Sequence, residues 1–119
     1  MNRVYGRYLG LAAFSEAILS AARQEGATAI VADNRDVLAA LFYTGREAGL
    51  PIYARPRPVR ARNHYELSHS YDGTATGRIL FVGRATPANC APSPVAVSVA
   101  GPDDRISAYV IDGTCWQPP

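Results

Sequence analysis

The stretch TAIVADNRDVLAALFYTGREAGLPIYA, residues 28–54, decides the fold. It opens on a continuous apolar run, Thr28 to Ala32, of the kind that suits a strand covered on both faces in a parallel sheet. DNRD follows. Either Asp33 or Asn34 can cap a helix there, because a short side-chain oxygen accepts backbone N–H groups of the first turn. Val37, Leu38, Leu41 and Phe42 recur at helical spacing and give that helix its buried face. Gly49 supplies a stop, and PIYA restarts an extended segment at Pro51. Strand, capped helix and strand in these 27 residues predict a βαβ unit whose two strands pair in parallel.

Outward from this unit the pattern is also regular. From about Tyr8 to Glu25, Leu11, Phe14, Ile18 and Ala22 recur at spacings of three and four, with Glu16, Ser20, Arg23 and Gln24 mostly off the stripe. That is an amphipathic helix, ended by Gly26 and weakened in its first turns by Gly10. Downstream, Pro56 and Pro58 rule out regular structure in RPRPVRAR, because each lacks an N–H and biases its predecessor away from helix. DGTATG reads as a loop, and RILFVG, Arg78 to Gly83, as a third apolar strand. TPANCAPSP is a connection. VAVSVA ending at Ala100, the turn GPDD, and ISAYVID ending at Asp112 predict a hairpin, with residues 113–119 as a tail. The expected fold is a single α/β domain over residues 1–119: a layered sandwich with a mixed sheet, a parallel βαβ core and an antiparallel C-terminal hairpin.

The composition agrees with one soluble core, at 48% apolar and 18% charged residues in a chain of 119. A net charge of +2, without an RNP-like or helix-turn-helix signature, argues against nucleic acid as a partner. All twelve basic residues are arginine; a chain-wide bias of this kind, typical of GC-rich coding, locates no site. No apolar run approaches the 18 or so residues of a membrane span. The N-terminus, MNRVYGRYLGLAAFSEAILSAA, imitates a signal peptide, but Glu16 falls inside what would be its hydrophobic region.

Four constellations could carry chemistry or binding. RNHYELSHSY, residues 62–71, holds both histidines. On a strand, His64 and Glu66 share a face while His69 points away; on a helix, His64 and His69 stand about 140° apart. Neither geometry converges all three on a metal ion, and the zincin spacing of four is not met. A His64–Glu66 pair is the better functional candidate, against an ordinary strand end with solvated histidines. VADNRD lies where open α/β sheets bind ligands, at the C-terminal end of the first strand. No glycine-rich turn follows it, which excludes a P-loop or dinucleotide site. Capping by Asp33 or Asn34, with Arg35 solvated, is the plainer reading. Arg55, Arg57, Arg60 and Arg62 form a cluster without a compensating acid. It is either a solvated loop or a contact for anionic head groups, each basic residue contributing on the order of 1 kcal/mol near a charged membrane. Cys90 and Cys115 are either two unrelated buried thiols or one disulfide, which would stabilise the fold by roughly 3 kcal/mol.

The order of Asp33-Asn34-Arg35, Tyr43 in the following helix, Asn63-His64-Tyr65-Glu66 and then ILFVG resembles a known family. It is similar to the soluble C-terminal region of bacterial membrane glycosyltransferases of the protein O-mannosyltransferase and aminoarabinose-transferase-like superfamily. The likeness covers Tyr8 to about Arg84, and more loosely the hairpin ending at Cys115. It implies a parent enzyme that moves a sugar from a polyprenyl-phosphate carrier to a lipid, glycan or protein. The catalytic acid of such enzymes, with a divalent metal in some members, sits on an external loop near the first transmembrane helices.

By that resemblance this chain is an extracytoplasmic fragment that follows transmembrane helices, is not catalytic by itself and holds no cofactor. Its partners would be the transmembrane part of the parent enzyme and polyprenyl-phosphate or anionic lipid head groups. Asp33, Asn34, Arg35, Tyr43, Asn63, His64, Tyr65 and Glu66 would bind or dock, and an extracytoplasmic location favours a Cys90–Cys115 disulfide. Two alternatives come from other classes. One is a free-standing α/β module binding a small ligand at the end of the first strand; the other is a metal-dependent hydrolase using His64, Glu66 and His69.

Overall fold

The structure, a computed structural model, describes residues 3–45, 49–55, 70, 71, 73, 77–87, 90–99, 101, 102 and 105–116. Helix α1 runs from Arg3 to Gln24, beginning five residues before the expected Tyr8. Gly10 does not interrupt it, since a single mid-helix glycine costs only about 1 kcal/mol and this helix has 22 residues to absorb it. The chain leaves α1 through Gly26, whose φ of 67° is a conformation that favours glycine. The Ala27 N–H donates to Ala22 O at 2.9 Å and the Gly26 N–H to Arg23 O at 3.2 Å. These two bonds are a Schellman motif, and they satisfy carbonyls the helix end would otherwise leave bare.

Strand β1, Ala29–Ala32, is followed by helix α2, Arg35–Gly45, and strand β2, Ile52–Ala54. β1 pairs with β2 in parallel, Ile30 opposite Ile52 and Ala32 opposite Ala54. The βαβ unit is therefore present. α2 buries Val37, Leu38 and Leu41, with Phe42 packed partly against the same cluster. α2 is described as far as Gly45 and Gly49 has a φ of 77°; residues 46–48, on which the expected stop at Gly49 depends, lie outside the described residues.

Strand β3, Arg78–Gly83, is parallel to β1 on its other side, and β5, Ser107–Asp112, is antiparallel to β3. Strand β4, Ser93–Val95, pairs antiparallel with β5 and forms the edge, giving the order β2-β1-β3-β5-β4. The fold is α/β with one mixed sheet, as expected. β4 differs in detail: it starts two residues before VAVSVA and stops at Val95. Pro94 is tolerated because an edge strand can spare a donor. Val97 and Val99 still pack partly against the core while Ala96 and Ser98 are exposed. The alternation in the sequence thus marks which side chains face inward, and it persists where no ladder forms.

The sheet is covered on both faces. On one, Phe14, Ile18, Leu19 and Ala22 of α1 and the buried face of α2 pack over Ile30, Ala32, Leu80, Val82 and Ala108. Burying each such branched side chain stabilises the fold by about 1.5–3 kcal/mol before entropy is counted. The helices touch directly through Ser15 and Thr44, whose hydroxyls lie 2.9 Å apart; one donates to the other, which donates in turn to a carbonyl of its own helix, Ala12 O or Ala40 O. Gly45 permits the close approach of helix and sheet. A Cβ there would meet Ile52 Cδ1 at 3.0 Å and Leu19 Cδ2 at 3.2 Å.

The opposite face presents Val31, Ile79, Phe81 and Ile111, covered by Tyr71, Cys90 and Trp116. Residues 113–119 are not a free tail through their first part. Gly113–Cys115 is a single 3₁₀ turn after Asp112, the Gly113 N–H donates to Gly77 O at 2.8 Å, and Trp116 is only 7% exposed. Its indole has apolar surface to bury, and Phe81 and Tyr71 provide the place. Cys90 and Cys115 are disulfide-bonded, with their Cα atoms 5.5 Å apart.

Candidate functional site

The carboxyl ends of the three parallel strands place a row of residues side by side. The Arg55 N–H donates to Ala32 O at 2.9 Å and the Asp33 N–H to Val82 O at 3.2 Å, so Arg55 and Asp33, each just after its strand, stand in a row with Gly83, the last residue of β3. The Asp33 carboxylate accepts the Arg84 N–H at 3.3 Å and lies over Gly83. A Cβ on Gly83 would come within 2.5–2.6 Å of its three carboxylate atoms. Asp33 therefore fixes the turn that leaves β3, and Gly83 is required beneath it.

Of the two candidate caps, Asn34 performs the role. Its Oδ1 accepts the N–H groups of Asp36 at 2.9 Å and Val37 at 3.1 Å, which are the orphan donors of the first turn of α2. Arg35 is exposed on that turn. Tyr43 is 65% exposed but stands eight residues further along α2, about 12 Å by helical rise. The structure thus brings Asp33, Asn34 and Arg35 together and leaves Tyr43 apart from them.

Arg55 turns back onto the sheet. Its guanidinium donates to Ala85 O and lies 5.3 Å over the Phe81 ring, a cation–π contact that closes part of the second face. Arg57, Arg60, Arg62, Asn63, His64, Tyr65, Glu66 and His69 lie outside the described residues. The segment that holds them departs after Arg55 and rejoins at Ser70, which bridges Ala54 in parallel. Both of its ends therefore meet the last residue of β2, beside Asp33.

Asp33, Asn34 and Arg35 line none of three well-formed clefts among the described residues. One of about 340 Å³ opens between the helices, against Leu11, Ala12, Ala39, Ala40 and Tyr43. A larger one, about 480 Å³, lies at the opposite end of the sheet against Glu25, Arg78, Ser93 and Asp112. There Arg78 donates to Glu25 O at 3.0 Å and stands 4.0 Å from the Glu25 carboxylate. The Asp112 carboxylate accepts the Thr114 N–H at 2.9 Å and the Thr114 hydroxyl at 2.8 Å. The backbone bond first, then the hydroxyl, hold its carboxyl below the usual range against a slight opposing desolvation. Sequence reading passes over this cleft, whose charged residues are distant in the chain. The signal that could find it is the β3–β5 register, which sets Arg78 opposite Asp112.

Among the described residues no three His, Cys, Asp or Glu side chains gather where they could hold a metal ion. No helix described is long and apolar enough to cross a membrane.

What the fold defines is a small α/β domain, and comparison with known proteins relates it to a glycosyltransferase. The chain is 33% identical over 118 residues to lipid A galacturonosyltransferase RgtD of Rhizobium johnstonii. The match takes in 94% of this chain and spans about a quarter, 25%, of that relative's length. No family model matches the chain, and no solved structure matches it.

Proposed function

We propose that this chain is an extracytoplasmic accessory domain of a membrane-anchored glycosyltransferase that draws its sugar from a polyprenyl-phosphate carrier. The transfer chemistry resides in the other part of that protein. The observation that carries this reading is the match of nearly the whole chain to one quarter of a lipid A galacturonosyltransferase. Asp33 and Asn34 already serve backbone groups, which supports a docking part over a catalytic one. The Cys90–Cys115 bond suits an oxidising compartment outside the cytoplasm. Arg57, Arg60 and Arg62 offer planar forks for the phosphates of a carrier or lipid head group.

In this reading the residues around the end of β2 face the membrane part and its substrates. Lipid A and galacturonic acid, taken from the relative's name, are the first acceptor and sugar to try. The test has two arms. A multi-span hydrophobic region is expected in the same reading frame or an adjacent gene, and in-frame removal of this domain should abolish sugar transfer by the membranes that carry it. The purified chain mixed with polyprenyl-phosphate-linked galacturonate and lipid A should transfer nothing. Transfer by the isolated chain, or full transfer without it, overturns the proposal.

A further inference from the structure

Trp116 is the single tryptophan of the chain and directly follows Cys115, the bonded partner of Cys90. Its ring lies 4.8 Å from that of Tyr71 and 6.0 Å, edge-on, from that of Phe81. Tyr71 packs edge-on against Tyr53 of β2 at 5.5 Å, and its backbone N–H donates to Ala54 O at 2.9 Å. The preceding residue, Ser70, forms the bridge to Ala54. A continuous line of contacts therefore runs from the disulfide, through one indole and one phenol, to the outer side of β2.

The pieces along this line differ from the rest of the core. Tyr71, Cys90 and Trp116 belong to no strand or α-helix; isolated backbone bonds, Tyr71 N–H to Ala54 O and Cys90 N–H to Pro87 O, hold the first two where a continuous ladder or helix would hold a core residue. Both ends of the covalent bond lie in this cover, and neither lies in α1, α2 or the parallel strands. The loop that the bond closes, Cys90 to Cys115, contains β4 and β5, so the bond ties the cover to the antiparallel border of the sheet and constrains no part of the helical face directly.

We propose that the Cys90–Cys115 bond is a redox lock on the second face of the sheet. With the bond in place, Trp116 stays on Phe81 and Tyr71, and Tyr71 keeps Ser70 paired to β2. When a dithiol reduces it, a thiolate attacks one sulfur, the mixed disulfide resolves, and the products are two cysteine thiols and one oxidised dithiol. Trp116 then leaves its seat and Tyr71 loses the ring that backs it, while the helical face keeps its packing. Because the cytoplasm keeps thiols reduced and extracytoplasmic spaces do not, the chain completes its second face only in an oxidising compartment.

The experiment compares the oxidised chain with the same sample reduced by dithiothreitol at neutral pH without denaturant. Trp116 emission should shift to the red, and amide exchange at Tyr71 should quicken by at least about tenfold as local opening becomes easier. Amides within α1, α2 and β1 should keep their protection. An unmoved emission maximum overturns the lock, and so does loss of helical protection in step with Tyr71, because the bond would then hold the whole fold. A Trp116→Phe variant, oxidised throughout, tests the route. Exchange at Tyr71 should rise several-fold with the disulfide intact, and an unchanged rate overturns transmission through the indole.

Discussion

Two helices close one face of the sheet with a continuous, mainly aliphatic layer, whereas short irregular pieces close the other with aromatic rings and a disulfide. The first face rests on periodic segments: α1 and α2 each bring a stripe of apolar side chains, and each stripe is fixed by hydrogen bonds within its own helix. The second face borrows Tyr71, Cys90 and Trp116 from distant parts of the chain, so its order depends on the sheet already being formed. Local periodicity makes a layer that can be read and that resists opening. Long-range contacts make a layer that is expected to open before the helical one.

That contrast can be broken or sharpened by measurement. The largest effect is expected on the helical face. Leu41 is fully buried between helix and sheet, and Leu41→Ala should cost about 4 kcal/mol, read by urea unfolding, with far-UV ellipticity lost in the same transition. On the second face, Trp116→Ala should cost about 3 kcal/mol, somewhat less because an irregular cover can settle into the space left. If the tryptophan variant proves the more damaging, the ranking of the two faces is reversed and the contrast fails.

Smaller changes probe the ends of elements. Asn34→Ala should lower stability by about 1 kcal/mol, with Asn34→Asp close to the parent, since two N–H groups of α2 need an oxygen there and either residue provides one. The smallest effect concerns Asp112, whose folded carboxyl titrates below its unfolded counterpart. A lowered pKa contributes stability that is fully present above the ordinary carboxylate range, about 4, and lost as pH falls through the folded value. Side-chain NMR titration should place Asp112 low, and Asp112→Asn should slightly flatten the acid limb of the melting-temperature curve. An unshifted titration would detach the last turn of chain from the electrostatics assigned to it.

The same contrast explains what sequence reading reaches. The βαβ unit is legible because apolar run, cap and stripe each follow from neighbouring residues, and they agree. The cap itself is legible only as a pair, Asp33 or Asn34; the choice depends on Gly83 and Arg84, which give the Asp33 carboxylate another place to go. The hairpin is legible in its pairing but not at its start, since Ser93 and Pro94 have poor strand propensity and only the register with β5 admits them. Trp116 is missed altogether. Flanked by GTC and QPP it reads as tail, and only the apolar surface of Phe81 and Tyr71 gives it a seat. For the candidate site, the grouping of Asp33, Asn34 and Arg35 is local and visible, while the turn of Arg55 onto Phe81 is a tertiary contact and is not.

The two outer strands of the sheet have a consequence for how copies of this chain meet. β4 is three residues long with Pro94 at its centre, and the outer side of β2 is met at Ala54 by Ser70. Among the described residues each border is therefore short or interrupted, a form of edge that discourages the strand-to-strand pairing with which fibrous aggregates usually begin.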